Sequence, residues 1–306
     1  MTKVLVVGAN GFLGSRLSIA LSNHGYHVVA LVDKRYPFES VKNKDNITIQ
    51  EFILEDIESL YDNPIFEGVD SLYHFAWAGV NAQVRNESEV QVQNVMFGLK
   101  VMEFANHHRI KRVIVPGSAA EVSCGAGTVT GTAKPAPSDM YSASKVATRY
   151  ICQAYAFQHD IDLIWTLVTS IYGPGRNDNN LISYVIQTLL KGEKPSTTGL
   201  EQKWDYLYVD DLICALILIG EKGKGGKVYP IGSGEHKQMR EYVEIIRDLI
   251  DPALPIGIGD IPYKNPNQID NQIIDISELS CDTGFNAEYD FKKGIYITIQ
   301  DFIKKK

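Results

Sequence analysis

The sequence predicts an α/β protein built on a doubly wound parallel sheet, with a smaller, discontinuous C-terminal lobe. Three observations carry that expectation. Short apolar runs alternate with longer stretches of helical spacing; the runs are continuously apolar, as strands covered on both faces must be; and a glycine-rich turn follows the first run directly. Residues 4–7, 28–32, 47–50, 71–75, 112–115 and 163–168 read as the buried strands, joined through right-handed helical crossovers. Between them, residues 12–23, 84–107 and 141–159 carry the 3.6-residue spacing of helices.

From about Tyr172 the pattern loosens. Gly173, Pro174, Gly175, Gly192, Pro195 and Gly199 punctuate one stretch and Pro252, Pro255, Pro262 and Pro266 a later one, marking loops and short elements. An apolar helix over 210–220 and a short strand over 227–230 lie between them. The large domain is therefore assigned residues 1–174 plus 209–234, and the small lobe residues 175–208 plus 235–306. No internal repeat at a period of about 20–50 residues is present.

Composition narrows the function. The 306 residues are 44% hydrophobic and 22% charged, an ordinary globular balance. A formal net charge of -7 repels a polyphosphate on average, which argues against a nucleic-acid partner. The basic end, Lys304 to Lys306, reads as a solvated tail. Cys124, Cys152, Cys214 and Cys281 show no C-x-x-C pairing, so they are expected to be free thiols rather than disulfide or metal ligands, and no metal site is indicated. The first apolar run is too short for a signal-peptide core, and no later run reaches the roughly 18 residues of a membrane span. A cytoplasmic location without membrane contact follows as an expectation.

Gly8-Ala9-Asn10-Gly11-Phe12-Leu13-Gly14 closes the first strand and opens the first helix, the context in which such a pattern binds a dinucleotide in a Rossmann domain. Gly8 permits the tight turn, Gly11 leaves room for a pyrophosphate, and Gly14 allows close packing of helix on sheet; the helix N-terminus favours the phosphate charge. The second strand ends in Asp33-Lys34-Arg35, where an acidic residue suits the ribose hydroxyl of NAD and basic residues suit the 2'-phosphate of NADP. Both signals are present, so the choice between the cofactors stays open. Asp56-Ile57, after the third strand, is placed to meet the adenine, and Phe75 and Ala76, at the end of the fourth strand, are further cofactor candidates.

Tyr141 and Lys145 stand one helical turn apart and share a face. A tyrosine of ordinary pKa near ~10 is a poor base unless an ammonium stabilises its phenolate, and Lys145 can do that. Ser118 lies at the C-terminal edge of the fifth strand, where substrate meets cofactor in such sheets, with a hydroxyl able to hold a substrate oxygen. His74 ends an apolar strand and reads as a satisfied structural histidine; Trp77 and Trp204 either line a sugar pocket or fill core.

With these residues in order, the chain resembles the extended short-chain dehydrogenase/reductase family, the nucleotide-sugar epimerases, dehydratases and reductases, over essentially its full length. The matching motifs are Gly8-x-x-Gly11-x-x-Gly14, Asp56-Ile57, His74-Phe75-Ala76, Asn94-Val95, Ser118, Tyr141-x-x-x-Lys145, Tyr172-Gly173-Pro174-Gly175 and Tyr208-Val209-Asp210-Asp211. The resemblance implies an NAD(P)(H)-dependent enzyme in which Tyr141 is the general acid/base, Lys145 holds the nicotinamide ribose and tunes Tyr141, and Ser118 polarises the reacting oxygen. It also implies that Asn94 supports the active-site helix, that Asn180 lies near the substrate diphosphate, and that helices 84–107 and 141–159 pair in a homodimer, burial under loops being the alternative for their apolar faces.

Departures from the family narrow the reaction. Sugar 4,6-dehydratases carry acidic residues just after the active-site hydroxyl residue, where this chain has Ala119 and Ala120, so dehydration is not expected. Gly117-Ser118-x-x-Glu121 looks like the pattern of reductases acting on GDP-4-keto-6-deoxy sugars, which places Glu121 at the substrate; a solvated loop charge is the alternative. Trp204 stands where relatives carry a phosphate-gripping arginine, with Lys203 or Arg176 as substitutes, and Ser170 and Val122 replace the usual asparagine and tyrosine. The leading expectation is reduction of a nucleoside-diphosphate 4-keto-6-deoxyhexose. An NAD-dependent 4-epimerase is the runner-up, and a non-catalytic dinucleotide sensor the rival of another class.

Overall fold

Continuous apolarity in the early runs is explained by the sheet they enter. The strands β1 (Lys3–Val7), β2 (His27–Asp33), β3 (Ile47–Phe52), β4 (Ser71–His74), β5 (Arg112–Ser118), β6 (Asp162–Val168) and β7 (Val228–Ile231) form one sheet in the order β7-β6-β5-β4-β1-β2-β3. Every pairing is parallel. The computed structural model describes residues 1–81, 83–122, 127–176, 180–263 and 271–305. Cys124, Asn179, Pro266 and Lys306 lie outside the described residues; Cys152 is a buried free thiol, and Cys214 and Cys281 are exposed ones.

Alternate residues of each central strand supply two different cores. Leu5, Val7, Val29 and Leu31 face one core with Phe97, Val101, Cys152 and Ala156, from α2 (Ser88–His107) and α3 (Met140–His159). Val4, Val6, Val28 and Ala30 face the other, with Leu17 and Leu21 of α1 (Phe12–Asn23) and Leu212 and Leu216 of α5 (Val209–Lys222). A two-sided strand has no solvent face on which to alternate polarity, hence its unbroken apolar run.

Where the sequence pattern loosens, the chain still forms α4 (Leu181–Leu190), α6 (Met239–Ile250), α7 (Ser277–Thr283) and α8 (Phe291–Lys304). α4, α6 and α8 enclose a third core with an aromatic centre of Tyr172, Tyr206, Tyr242 and Phe291. Several expected bounds shift. The second helix begins at Ser88 rather than 84, and the fourth strand ends at His74.

Chain direction across the sheet reverses between β1 and β4, which pair side by side although β2 and β3 intervene in sequence. A crevice opens beyond the carboxyl ends of such strands, and it locates the site. Among the described residues no helix is long and apolar enough to cross a membrane.

Candidate active site

The turn after β1 is shaped for close approach. Gly8 has φ +84°, and a side chain there would collide with the Ala76 backbone of the loop after β4. Gly8 and Ala9 donate their N–H groups to the Leu31 carbonyl at 3.0 and 3.1 Å, fastening the turn to β2. A methyl at Gly14 would overlap the Gly8 carbonyl, so α1 can lie this close only with glycine there. Gly11 is the N-cap of α1; no side chain caps this helix, so none competes with an anion for its first-turn N–H groups.

A cavity of about 620 Å³ opens over this turn, lined by Gly8, Asn10, Gly11, Asp33, Arg35, Phe75, Ala76, Trp77 and Asn94, among others. Its size suits a cofactor. A Cβ on Gly11 would meet only the Gly8 carbonyl, at 3.4 Å, so the space in front of the turn is open. These features fit a dinucleotide pyrophosphate.

Other residues expected at the cofactor lie elsewhere. Phe12 and Leu13 pack on the α1 side of the sheet, and Lys34 is exposed. Ile57 is fully buried in the opposite core and Asp56 is exposed; Leu54 and Glu55 line the cavity in their place. In the 3-10 turn Leu54–Leu60 the aliphatic Ile57 side chain is taken by the core.

The acidic and basic signals at the end of β2 prove to be a single ion pair. Arg35 Nη2 donates to Asp33 Oδ2 at 2.6 Å and its Nε to Oδ1 at 2.9 Å, while its Nη1 reaches Glu55 at 3.1 Å. Burial works against the Asp33 charge, but the Arg35 hydrogen bonds outweigh it and hold the carboxyl below its ordinary value. Asn10 Nδ2 donates to the Asp33 carbonyl at 3.1 Å, tying the pair to the glycine turn.

Ser118, Tyr141 and Lys145 come together beside this cavity rather than in its lining, with Trp77 between. Ser118 ends β5 and caps a short turn, Ala119–Glu121; its hydroxyl accepts from Ala120 N–H at 3.2 Å and lies near enough to the Tyr141 phenol to favour its phenolate. Tyr141 sits in the first turn of α3, fixed by a reciprocal cap in which Asp139 accepts from Ser142 N–H at 2.8 Å. Arg85, paired with Asp139 at 2.7 Å, lies 4.8 Å from the Tyr141 ring centre, and Trp77 meets the ring edge-on. Lys145 Nζ donates to the Pro116 carbonyl at 2.9 Å and lies 3.6 Å from the Trp77 ring centre, a cation–π contact.

Burial sets the electrostatics. It pushes the Tyr141 phenol up, with Ser118 and Arg85 pulling the other way. It pushes Lys145 down to about 7. Near-neutral titration of a buried amine beside a phenol is suited to proton movement. His74, pushed by burial to about 3, is neutral, and neither ring nitrogen has a hydrogen-bond partner among the described residues. The expected satisfied histidine is thus corrected to one packed against Phe97 and left without a partner.

Trp77 is held from outside the site. Its Nε1 donates to Gln91 at 3.2 Å, and Gln91 in turn donates to the Gly79 carbonyl at 2.8 Å. Asn94 grips both backbone groups of Ala78, at 2.9 and 2.8 Å, and donates to Gln91 at 3.3 Å, so its amide supports the loop after β4 rather than α3. Arg85 and Gln91 went unnoticed in the sequence, where nothing distinguishes them from surface polar residues.

The residues expected at the substrate are spread. Glu121 is fully buried under Ser118, which corrects both its substrate contact and its reading as a solvated charge. Asn180 caps α4, accepting from Ser183 N–H at 3.0 Å. Arg176 donates to the Ile171 carbonyl, and Lys203 is exposed. Trp204 Nε1 donates to the Ser170 hydroxyl at 2.9 Å, so two departures from the family pattern meet in one contact.

A family model described as the NAD dependent epimerase/dehydratase family matches residues 4–232. Among curated proteins, the chain is similar to a dTDP-glucose 4,6-dehydratase of Haemophilus influenzae, 23% identical over 334 residues that span 99% of this chain and 98% of the relative. It is similar also to GDP-L-fucose synthase 1 of Arabidopsis thaliana, 22% identical with 99% and 93% covered. Among solved structures, a UDP-N-acetylglucosamine 4-epimerase from Methanobrevibacter ruminantium M1, in complex with UDP-N-acetylmuramic acid, superposes with a TM-score of 0.88 at 24% identity, covering 100% of this chain and 99% of that one. At that identity the likeness speaks for the fold.

Proposed function

The chain belongs to the NAD dependent epimerase/dehydratase family, as an enzyme of the extended short-chain dehydrogenase/reductase type, and from that premise we propose that it works at carbon 4 of a nucleoside-diphosphate sugar, reducing a 4-keto-6-deoxyhexose. The observation that carries the reading is the convergence of Ser118, Tyr141 and Lys145 beside the cavity, with alanines, not acids, at the two positions after Ser118. Bound NAD(H) supplies or accepts the hydride. Tyr141 gives its proton to the sugar oxygen, the Ser118 hydroxyl orients that oxygen, and Lys145 holds the nicotinamide ribose and steadies charge on the phenol as the proton leaves. Residues 175–208 plus 235–306, with Asn180, Arg176, Lys203 and Trp204, are the proposed surface for the nucleotide diphosphate.

Asp33 favours NAD(H) over NADP(H) in this reading. Its carboxylate meets a free ribose diol, while a 2'-phosphate would have to take Arg35 from both Asp33 and Glu55. The same ion pair supports a second reading, a 4-epimerase in which NAD+ is retained and regenerated. The test is to incubate the protein with NADH or NADPH and a panel of nucleotide-linked 4-keto-6-deoxy sugars, following absorbance and product mass. Stoichiometric NADH consumption with two mass units gained is expected, as is a preference over NADPH that Asp33→Ser narrows by about tenfold. Inversion of an unmodified nucleotide sugar at constant mass and without cofactor loss would replace reduction by epimerisation.

A homodimer through α2 and α3 is also proposed. Val92, Met96, Tyr150, Ile151 and Phe157 stand exposed on these helices, Phe157 at 92%. Light scattering should give twice the chain mass, and Phe157→Glu with Tyr150→Glu should return the monomer.

A further inference from the structure

Beneath Ser118 lies a carboxylate that the proposed reaction leaves without a task. Glu121 is 0% exposed and its Oε1 accepts two N–H groups, from the Ser118 backbone at 2.9 Å and from Trp165 Nε1 at 3.0 Å. Its Oε2 lies 3.5 Å from Nε of Arg149, itself 4% exposed. Gly117 is part of the same arrangement, since a side chain there would overlap the Glu121 carboxylate and the Trp165 indole. Arg149 follows Lys145 by one turn of α3, as Lys145 follows Tyr141. An ion pair sealed this completely is expensive to bury and often no more stabilising than apolar packing.

We propose that Glu121, paired with Arg149, is a positioning residue that fixes the Ser118 backbone and supplies the counter-charge for the buried ammonium of Lys145. The proposal rests on the catalytic reading of Ser118 and Lys145. Pro116 on β5, Cys152 and Tyr141 on α3, Trp165 on β6, His74 on β4 and Trp77 in the loop after it surround this charge cluster, with the Arg85–Asp139 pair beyond Tyr141. Burial pushes Lys145 down and the Glu121 charge works against that push. Burial likewise pushes the Glu121 carboxyl up, with Arg149 and Lys145 pulling it down.

The charges make opposite demands on two variants. Glu121→Gln keeps an oxygen for both N–H donors but leaves Arg149 as an unopposed cation near Lys145, so the ammonium is lost at lower pH. Arg149→Met leaves the carboxylate facing Lys145 alone, and the ammonium persists to higher pH. The readout is the ratio of NAD+ to NADH affinity across pH 5.5–9.5 (a range of roughly two units about the neutral midpoint), which requires no turnover. Loss of a positive charge beside the cationic oxidised nicotinamide raises relative NAD+ affinity.

The wild-type protein should show one step in that ratio, absent from Lys145→Met. The step should move down by about one pH unit in Glu121→Gln and up in Arg149→Met. Trp165→Phe disturbs the same packing without changing charge and should leave it in place. Shifts of the same sign in all three variants, or none in the charge variants, overturn the proposal and assign Glu121 to packing alone. Should one charge variant fail to fold, a step that stays at the wild-type pH in the other is enough to overturn it. A wild-type ratio without a step overturns the proposal but leaves the active-site reading standing if Tyr141→Phe still abolishes turnover; failure to bind either dinucleotide overturns both.

Discussion

Tyr141→Phe should lower kcat by a factor of about 10²–10⁴, the range of a lost general acid, while KM for the sugar nucleotide and affinity for the dinucleotide change little. The expectation follows from what the substitution leaves intact. The ring is held between Arg85 and Trp77, contacts a phenyl group preserves, and α3 begins at the Asp139–Ser142 cap whatever residue 141 is. Only the hydroxyl disappears, and with it the influence of Ser118 on the phenol. Steady-state and single-turnover kinetics on the substrate found by the panel provide the check. Undiminished turnover would remove Tyr141 from the chemistry.

Lys145→Met should abolish measurable turnover and, at the same time, make the fold more stable. A buried ammonium pushed from 10.5 to about 7 marks a folded state that disfavours the charge. Between those two values the unfolded chain holds more protons than the folded one, so wild-type stability rises with pH across that window. Below about pH 7 the full cost of the buried charge is borne. Methionine fills similar space without charge. Set against the loss of the Trp77 and Pro116 contacts, the gain should be about 1–3 kcal/mol at pH 6, shrinking as pH approaches 10. Denaturant melts at pH 6, 8 and 10 test both sign and trend. Destabilisation at every pH would mean that the ammonium is net stabilising where it lies.

Much of the nucleotide-binding half is legible in the sequence because its strands are covered on both faces and its turn demands glycine. Residues 12–23 read as a helix and form one with those limits. The later half is harder because its helices are amphipathic and set among prolines and glycines. α6 carries a sign of its start in Glu241, whose carboxylate accepts from the Gln238 N–H at 2.8 Å. Asn180 shows how one residue supports two readings: a polar residue before an apolar stretch is as good a helix cap as a ligand.

Glu121 and Arg35 were misread or left open for a common reason. A charged residue in a loop looks the same whether it is solvated, bound to ligand or buried. What decides is the partner: Trp165 and Arg149 come to Glu121 from remote segments, and Arg35 bridges its neighbour Asp33 to the more distant Glu55. Short-range spacing caught Tyr141 with Lys145 but contains no record of such long-range pairs.

The division of the central strands between two cores has a genetic consequence. In β1 and β2 the residues numbered 5, 7, 29 and 31 share a core with α3, whereas 4, 6, 28 and 30 share one with α1 and α5. In a saturation screen scored for both abundance and turnover, a cavity made at an odd position loosens the packing behind Tyr141 and Lys145, and one made at an even position loosens the helix that bears the glycine turn. Substitutions of equal severity on adjacent residues should then separate into two phenotypic classes, turnover defects and cofactor-affinity defects, alternating along the strand with a period of two.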